Sequence, residues 1–194
     1  MLKMLATVER SIIFLMLAVS VTINVLLAGE IRRVRAEPAP RPRPVAIGTS
    51  VAPLQVTDLR GEAKVIDFGK PTILYFLSPS CRACARNAAN MIALTEQVAA
   101  QYRVVGLAGR PNGLDEYLIS HPMPFPIYIA STEVIESLAL QSIPQTVVID
   151  EAGTILHKWS GAYNEVTLKT VEQYFGVALP GLSVPVTAST EQAK

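Results

Sequence analysis

Cysteine is scarce in this chain: 194 residues contain two, both in the run Cys81-Arg82-Ala83-Cys84. A fold stapled by several disulfides is therefore excluded. A bridge across two intervening residues closes almost no loop in the unfolded chain, so chain entropy gives it little stabilising power. If the pair matters, it matters through its chemistry. Charge is thin as well: 17% of residues are ionised and the formal net charge is +1. Nothing in that balance provides the basic surface on which nucleic-acid binding depends. Histidine is limited to His121 and His157, far apart and without the close spacing of a metal-ligand pair. No internal repeat is present, and the length suits one folded domain with extensions.

What the chain has in excess is apolar sequence, 50% of all residues, and much of it lies near the N-terminus. After a short tail over 1–10, residues 11–29 are uncharged and interrupted only by Ser20, Thr22 and Asn24. A run of this length spans a bilayer core as a helix, whereas the apolar region of a cleaved signal peptide is shorter, roughly 7–15 residues. The expectation is an uncleaved transmembrane anchor, with cleavage after Val25–Gly29 as the alternative. Residues 30–44 form a basic, proline-rich linker ending in the sequence EPAPRPRP, which forbids helix and favours an extended spacer. Lys3 and Arg10 precede the apolar run, while Arg32, Arg33, Arg35, Arg41 and Arg43 follow it. A bare count of basic residues would leave the following domain in the cytoplasm.

Residues 45–177 carry the globular pattern, and a polar tail expected to be disordered covers 178–194. Two short strands, 54–56 and 63–68, flank the turn Asp58-Leu59-Arg60-Gly61. Thr72–Leu77 (TILYFL) is apolar throughout, as a central strand buried on both faces should be. Ala88, Met91, Ile92, Thr95 and Val98 recur at helical spacing, predicting a helix from near Cys81 to Ala100. A strand at 103–108, a short helix at 113–120, a strand at 125–129 and a helix at 132–139 follow. A hairpin of 146–149 and 154–159 turns at Asp150-Glu151-Ala152-Gly153. Asn164 caps a last helix, which Gly176 ends. Strands alternating with helices imply an α/β fold, a mixed sheet covered by helices on both faces.

Cys81 thus follows a buried strand and opens a helix. Unpaired N–H groups and the helix dipole stabilise an anion at that point, and Arg82 adds a positive charge beside it. A Cys-x-x-Cys pair at a strand–helix junction of an α/β pattern points to thiol–disulfide chemistry. The segment Phe76-Leu77-Ser78-Pro79-Ser80-Cys81-Arg82-Ala83-Cys84 resembles the active-site segment of the thioredoxin-like superfamily. It is similar in particular to the membrane-anchored TlpA/ResA/MauD type. Ser142-Ile143-Pro144-Gln145-Thr146-Val147-Val148-Ile149-Asp150, followed by Gly153, resembles the second signature of that group. The resemblance covers roughly residues 45–176.

It implies a thioredoxin-like fold with an N-terminal β-hairpin extension and a transmembrane helix. Cys81 and Cys84 would be the catalytic pair and Arg82 a thiolate-stabilising neighbour. Pro144 would be cis, with Ile143 and Pro144 presenting backbone to an extended substrate segment. Protein disulfides or dithiols would be the substrates, an integral-membrane electron donor a further partner, and no cofactor or metal is required. By the same resemblance the domain is expected on the periplasmic, extracytoplasmic side, against the basic-residue count, and a reductase role in periplasmic protein or cytochrome c maturation is implied. Two positions depart from the pattern. Many members have Trp before the first Cys, where this chain has Ser80; thioredoxins proper have a buried acid six residues before it, where this chain has Tyr75. Other readings of the pair are a non-catalytic binding or metal-delivery module and, less well matched, a thiol peroxidase. The latter would want Pro where Leu74 stands.

Overall fold

The computed structural model describes residues 2–36 and 46–183, in two separate units. The first is a single helix, α1, Leu2–Ala36. Its segment Ile13–Glu30 has a mean hydropathy of 2.0 and is long and apolar enough to cross a membrane. Two of the polar interruptions are satisfied within the helix: Thr22 Oγ1 donates to the Ala18 carbonyl and Asn24 Nδ2 to the Ser20 carbonyl, each at 2.8 Å. Helix continues through 30–36, where the linker was expected to begin, because no breaker occurs before Glu37-Pro38. The expected extended spacer over the rest of the linker lies outside the described residues, as does the tail from 184.

The second unit is built on a seven-stranded mixed sheet. Its strands are β1 (Leu54–Thr57), β2 (Ala63–Ile66), β3 (Thr72–Leu77), β4 (Arg103–Ala108), β5 (Ile127–Ala130), β6 (Gln145–Ile149) and β7 (Ile155–Ser160), in the spatial order β2-β1-β5-β4-β3-β6-β7. The β3–β4 and β4–β5 pairs are parallel; β1–β2, β1–β5, β3–β6 and β6–β7 are antiparallel. The expected N-terminal hairpin is thus present, docked on the sheet edge through Val56↔Ala130. Its turn is tied by Asp58, whose Oδ1 accepts from the N–H groups of Arg60 and Glu62, both at 2.9 Å.

β3 is buried at every residue, and alternation sends its side chains to two cores. Ile73, Tyr75 and Leu77 join the core beneath α2 (Arg82–Val98), α3 (Leu114–Ser120) and α5 (Glu165–Phe175). Leu74 and Phe76 join the opposite core with Val134 of α4 (Thr132–Ser137), Leu138 and Leu140. β4 and β5 approach so closely at Gly106 that a Cβ there would stand 2.6 Å from Ile127 Cγ1. Asn164 Oδ1 caps α5 by accepting from the Thr167 N–H at 2.9 Å, and Gly176, at φ +67°, ends it in the left-handed region.

Residues 178–183 correct one expectation: they are packed. The segment runs back along α2 as a strap. Ala178 exchanges two hydrogen bonds with the Gln97 side chain, Gly181 N–H donates to Asn90 Oδ1 at 2.8 Å, and Ser183 N–H donates to the Arg86 carbonyl at 3.1 Å. Leu179 packs on the α2/α5 core. The small, polar composition hid this because much of its anchoring comes from its backbone groups bonded to α2, and composition carries no trace of such bonds.

Candidate redox site

Parallel pairing of β3 with β4, and of β4 with β5, puts the C-terminal ends of all three at one edge of the sheet, and Cys81 emerges there from the Ser78-Pro79-Ser80 loop. The loop is closed by the Cys81 N–H donating to the Ser78 carbonyl at 3.0 Å. Cys81 is the N-cap of α2, with extended backbone angles (φ −87°, ψ 102°), and its Sγ accepts from the Cys84 N–H at 3.1 Å. Sulfur therefore occupies the place where Ser, Thr or Asp oxygens usually satisfy the first-turn N–H groups. An anion at that sulfur would meet the positive end of the helix.

Cys81 and Cys84 form a disulfide with Cα atoms 5.2 Å apart. The two sulfurs face different surroundings. Cys81 is partly exposed, whereas Cys84 has no exposed surface and sits in the α2-side core. An incoming group therefore reaches Cys81 and not Cys84. Arg82, the next residue in the chain, is exposed on the first turn of the helix. Arg86 does not reach toward the sulfurs; its Nε donates to the Ser183 carbonyl at 3.2 Å.

The register Phe76↔Gln145 brings the start of β6 alongside the end of β3, so Ile143 and Pro144 lie at the same sheet edge as Cys81. Their peptide bond is cis. Pro144 is buried, while Ile143 is 41% exposed. Helix α3 flanks this edge too, since Gly113, just before it, lies against Pro79 of the cysteine loop.

Beneath Cys84 lies a cluster that sequence reasoning missed. Asn87 and Asn90 are fully buried on the inner face of α2, three and six residues after Cys84. Asn87 Nδ2 donates to the Tyr75 hydroxyl at 3.5 Å, and Asn87 Oδ1 accepts from Asn90 Nδ2 at 3.0 Å and from the Tyr163 N–H at 3.1 Å. Tyr163 in turn shares a 2.7 Å hydrogen bond with Thr146 Oγ1. Burial pushes the phenols of Tyr75 and Tyr163 well above their ordinary value, and that of Tyr117 up to about 12. At neutral pH all of them are hydroxyls. The available signal was the presence of two asparagines on the helical stripe that otherwise holds Ala88, Met91, Leu94 and Val98.

His121 and His157 lie apart from the cysteines. His121 stacks on Tyr117 at the end of α3, and His157 stacks on Trp159 in β7, with ring centroids 4.8 and 4.0 Å apart. Among the described residues, no three His, Cys, Asp or Glu side chains gather where they could hold a metal ion.

No protein-family model matches the chain. It is 26% identical over 118 residues to the methylamine utilization protein MauD of Methylophilus methylotrophus, an alignment covering 59% of this chain and 47% of that protein. The chain thus matches about half the length of that relative. Among solved structures it is similar to a thiol:disulfide interchange protein, DsbE, of Chlorobium tepidum, with a TM-score of 0.58 and 16% identity, covering 68% of this chain and 97% of the other. A thiol:disulfide interchange protein from a Bacteroides species gives 0.57 and 17%, covering 69% and 93%. StoA of Bacillus subtilis gives 0.50 and 20%, covering 59% and 92%. The second unit has the thioredoxin-like fold.

Proposed function

We propose that this thioredoxin-like chain is a membrane-anchored thiol–disulfide oxidoreductase acting on protein substrates through Cys81 and Cys84. The observation that carries the reading is the asymmetry of the pair. One sulfur is partly exposed and caps a helix N-terminus; the other is fully buried one turn further on. That is the division of labour that disulfide exchange requires.

In the reducing direction, the Cys81 thiolate attacks one sulfur of a substrate disulfide. The substrate S–S bond breaks, its distal sulfur leaves with the electron pair and takes up a proton, and Cys81 is held in a mixed disulfide. Cys84 then loses its proton and attacks Cys81 Sγ. The Cys81–Cys84 bond forms and the second substrate thiol departs, so the protein loses two electrons and the substrate gains them. Run backwards, the same steps oxidise a dithiol. Arg82 and the helix N-terminus favour the attacking thiolate. Ile143, exposed beside the site, offers its backbone to an extended substrate segment adding as a strand, with Pro144 as its fixed neighbour.

The finer reading assigns the reductase direction, in the maturation of periplasmic proteins or cytochromes c, with an integral-membrane dithiol donor restoring the reduced pair. It rests on the resemblance of the two signatures and on the candidate membrane helix. A periplasmic location is part of it, and thiol labelling of intact cells with a membrane-impermeant reagent decides the side. The mechanism itself is tested with Cys84→Ser. This variant should accumulate a mixed disulfide with client proteins, and Cys81→Ser should accumulate none. Equal trapping by both variants, or by neither, overturns the reading.

A further inference from the structure

The segment that carries Ile143 and Pro144 is held from both ends by β7. Downstream, the Gly161 N–H, just past the strand, donates to the Pro144 carbonyl at 2.7 Å, and Gln145 Nε2 donates to Ser160 Oγ at 2.8 Å. Upstream, Lys158 Nζ donates to the carbonyls of Leu138 and Ala139, each at 2.8 Å. Lys158 and Ser160 are two apart on the strand and so lie on the same face of the sheet. Between the two anchors the chain passes through Leu140, buried in the α4-side core, and reaches Ile143, which is 41% exposed.

Two observations single out Lys158. Its ammonium is partly buried, which lowers its pKa, yet it belongs to none of the ion pairs among the described residues. Taking a charge out of water is costly unless its donors find partners, and here two of the three go to main-chain oxygens. Those oxygens belong to a turn that the backbone does not favour by itself. Ala139, at φ +42°, is the one non-glycine residue among those described that lies in the left-handed region, where its Cβ crowds the following carbonyl. The turn follows the C-cap Leu138 of α4 and sets the direction of the chain toward Ile143. A lysine satisfied only when both carbonyls converge on it selects this turn over relaxed alternatives.

We propose that Lys158 is a positioning residue for substrate recognition: by clamping the left-handed turn at Ala139, it holds the Ile143 backbone where an extended substrate segment adds to it. This rests on the redox reading of the pair and on strand addition at Ile143. Lys158 acts through residues 139–143 and not on the cysteines. Its removal therefore penalises a substrate that lies along the loop as a strand, and spares a disulfide too small to use the loop. Without the clamp the loop samples other turns, and apparent affinity falls by the fraction of time the competent one is lost.

The test compares two reactions of the reduced full-length protein in detergent, each read as the first release of thionitrobenzoate when Cys81 attacks. One reagent is an extended peptide whose single cysteine is a mixed disulfide with thionitrobenzoate; the other is the small symmetric disulfide of thionitrobenzoate. Lys158→Met keeps the length of the side chain and removes its donors. At subsaturating peptide it should slow the peptide reaction about tenfold, as when the competent loop falls to about a tenth of the population. The small disulfide should react within about twofold of the parent rate. Lys158→Arg keeps the donors and should recover most of the peptide rate. A peptide N-methylated on both sides of its cysteine cannot add as a strand and should react equally with the parent and with Lys158→Met. Melting of each variant is followed first by Trp159 fluorescence, and rates are compared below the lowest transition. A role in stability alone would slow both reagents together. The proposal is overturned by that result, by an unchanged peptide rate in Lys158→Met, or by Lys158→Arg behaving no better than Lys158→Met. If the parent reacts with neither reagent, the redox reading itself fails, an outcome distinct from variants that match an active parent.

Discussion

Replacing Asn87 by Ala would show how much of the fold depends on the polar knot under the cysteines. Asn87 is fully buried and makes three hydrogen bonds: to the Tyr75 hydroxyl, from Asn90 Nδ2 and from the Tyr163 backbone N–H. Ala fills the helix position without strain but leaves two buried donors, the Asn90 amide and the Tyr163 N–H, without an acceptor. At about 1–3 kcal/mol for each orphaned group the loss is roughly 2–6 kcal/mol, a large share of the about 5–15 kcal/mol that stabilises a typical domain. For a domain of this size, about 4 °C per kcal/mol converts it to a fall in Tm of roughly 8–24 °C. Trp159 is the single tryptophan and is buried, so its fluorescence reports unfolding of this domain in the full-length protein. The exposed Asn112→Ala is the control and should change stability by less than about 0.5 kcal/mol. A fall in Tm below about 2 °C for Asn87→Ala would refute the reasoning, since the three bonds could not then be holding the core as described.

Gly153, at φ +82°, has the Val51 carbonyl oxygen 2.7 Å from where a Cβ would stand. Gly153→Ala should destabilise by about 1–2 kcal/mol from the left-handed backbone alone, and more from the contact, read as a lower midpoint in urea. At the β1–β2 turn, hydrogen bonds from the Glu62 and Arg60 N–H groups, with Lys64 nearby, hold the Asp58 carboxyl below its ordinary value. Its stabilising effect is therefore full above the unfolded carboxylate value and is lost as pH falls through the lower folded one. Asp58→Asn should be less stable than the parent at pH 7, with the two curves converging in acid; a constant gap down to pH 2 would contradict this. Arg82→Glu should lower the thiolate fraction of Cys81 at neutral pH, seen as slower alkylation of the reduced protein by iodoacetamide and a rise in the pH at which that rate is half-maximal.

The reading of the fold from sequence succeeded where one physical signal dominated. TILYFL has no charged residue and only the hydroxyls of Thr72 and Tyr75 to satisfy, and a strand buried on both faces in the middle of the sheet is the arrangement that suits it. Asn164 and Gly176 mark the ends of α5 through capping chemistry that is local in sequence. The placement of Cys81 was legible for the same reason, between a buried strand and an amphipathic helix. The polar knot was not legible, because its bonds join residues up to 91 positions apart, as Asn90 and Gly181 do. A helical wheel shows only two asparagines on the wrong face. The strap over 178–183 failed for a related reason: it is held by main-chain groups, and main-chain groups look alike in every sequence.

Whether Cys81 and Cys84 form a reversible two-electron couple is the most direct test of the central claim. The full-length protein in detergent is equilibrated with graded ratios of reduced and oxidised glutathione or dithiothreitol, and the fraction of disulfide is read by thiol alkylation. The account predicts a single reversible transition that depends on both cysteines, at a potential nearer the roughly −270 mV of thioredoxin than the roughly −120 mV of strong oxidants if the protein works as a reductase. A pair that stays wholly reduced or wholly oxidised across the series, or that oxidises only between molecules, would contradict the account.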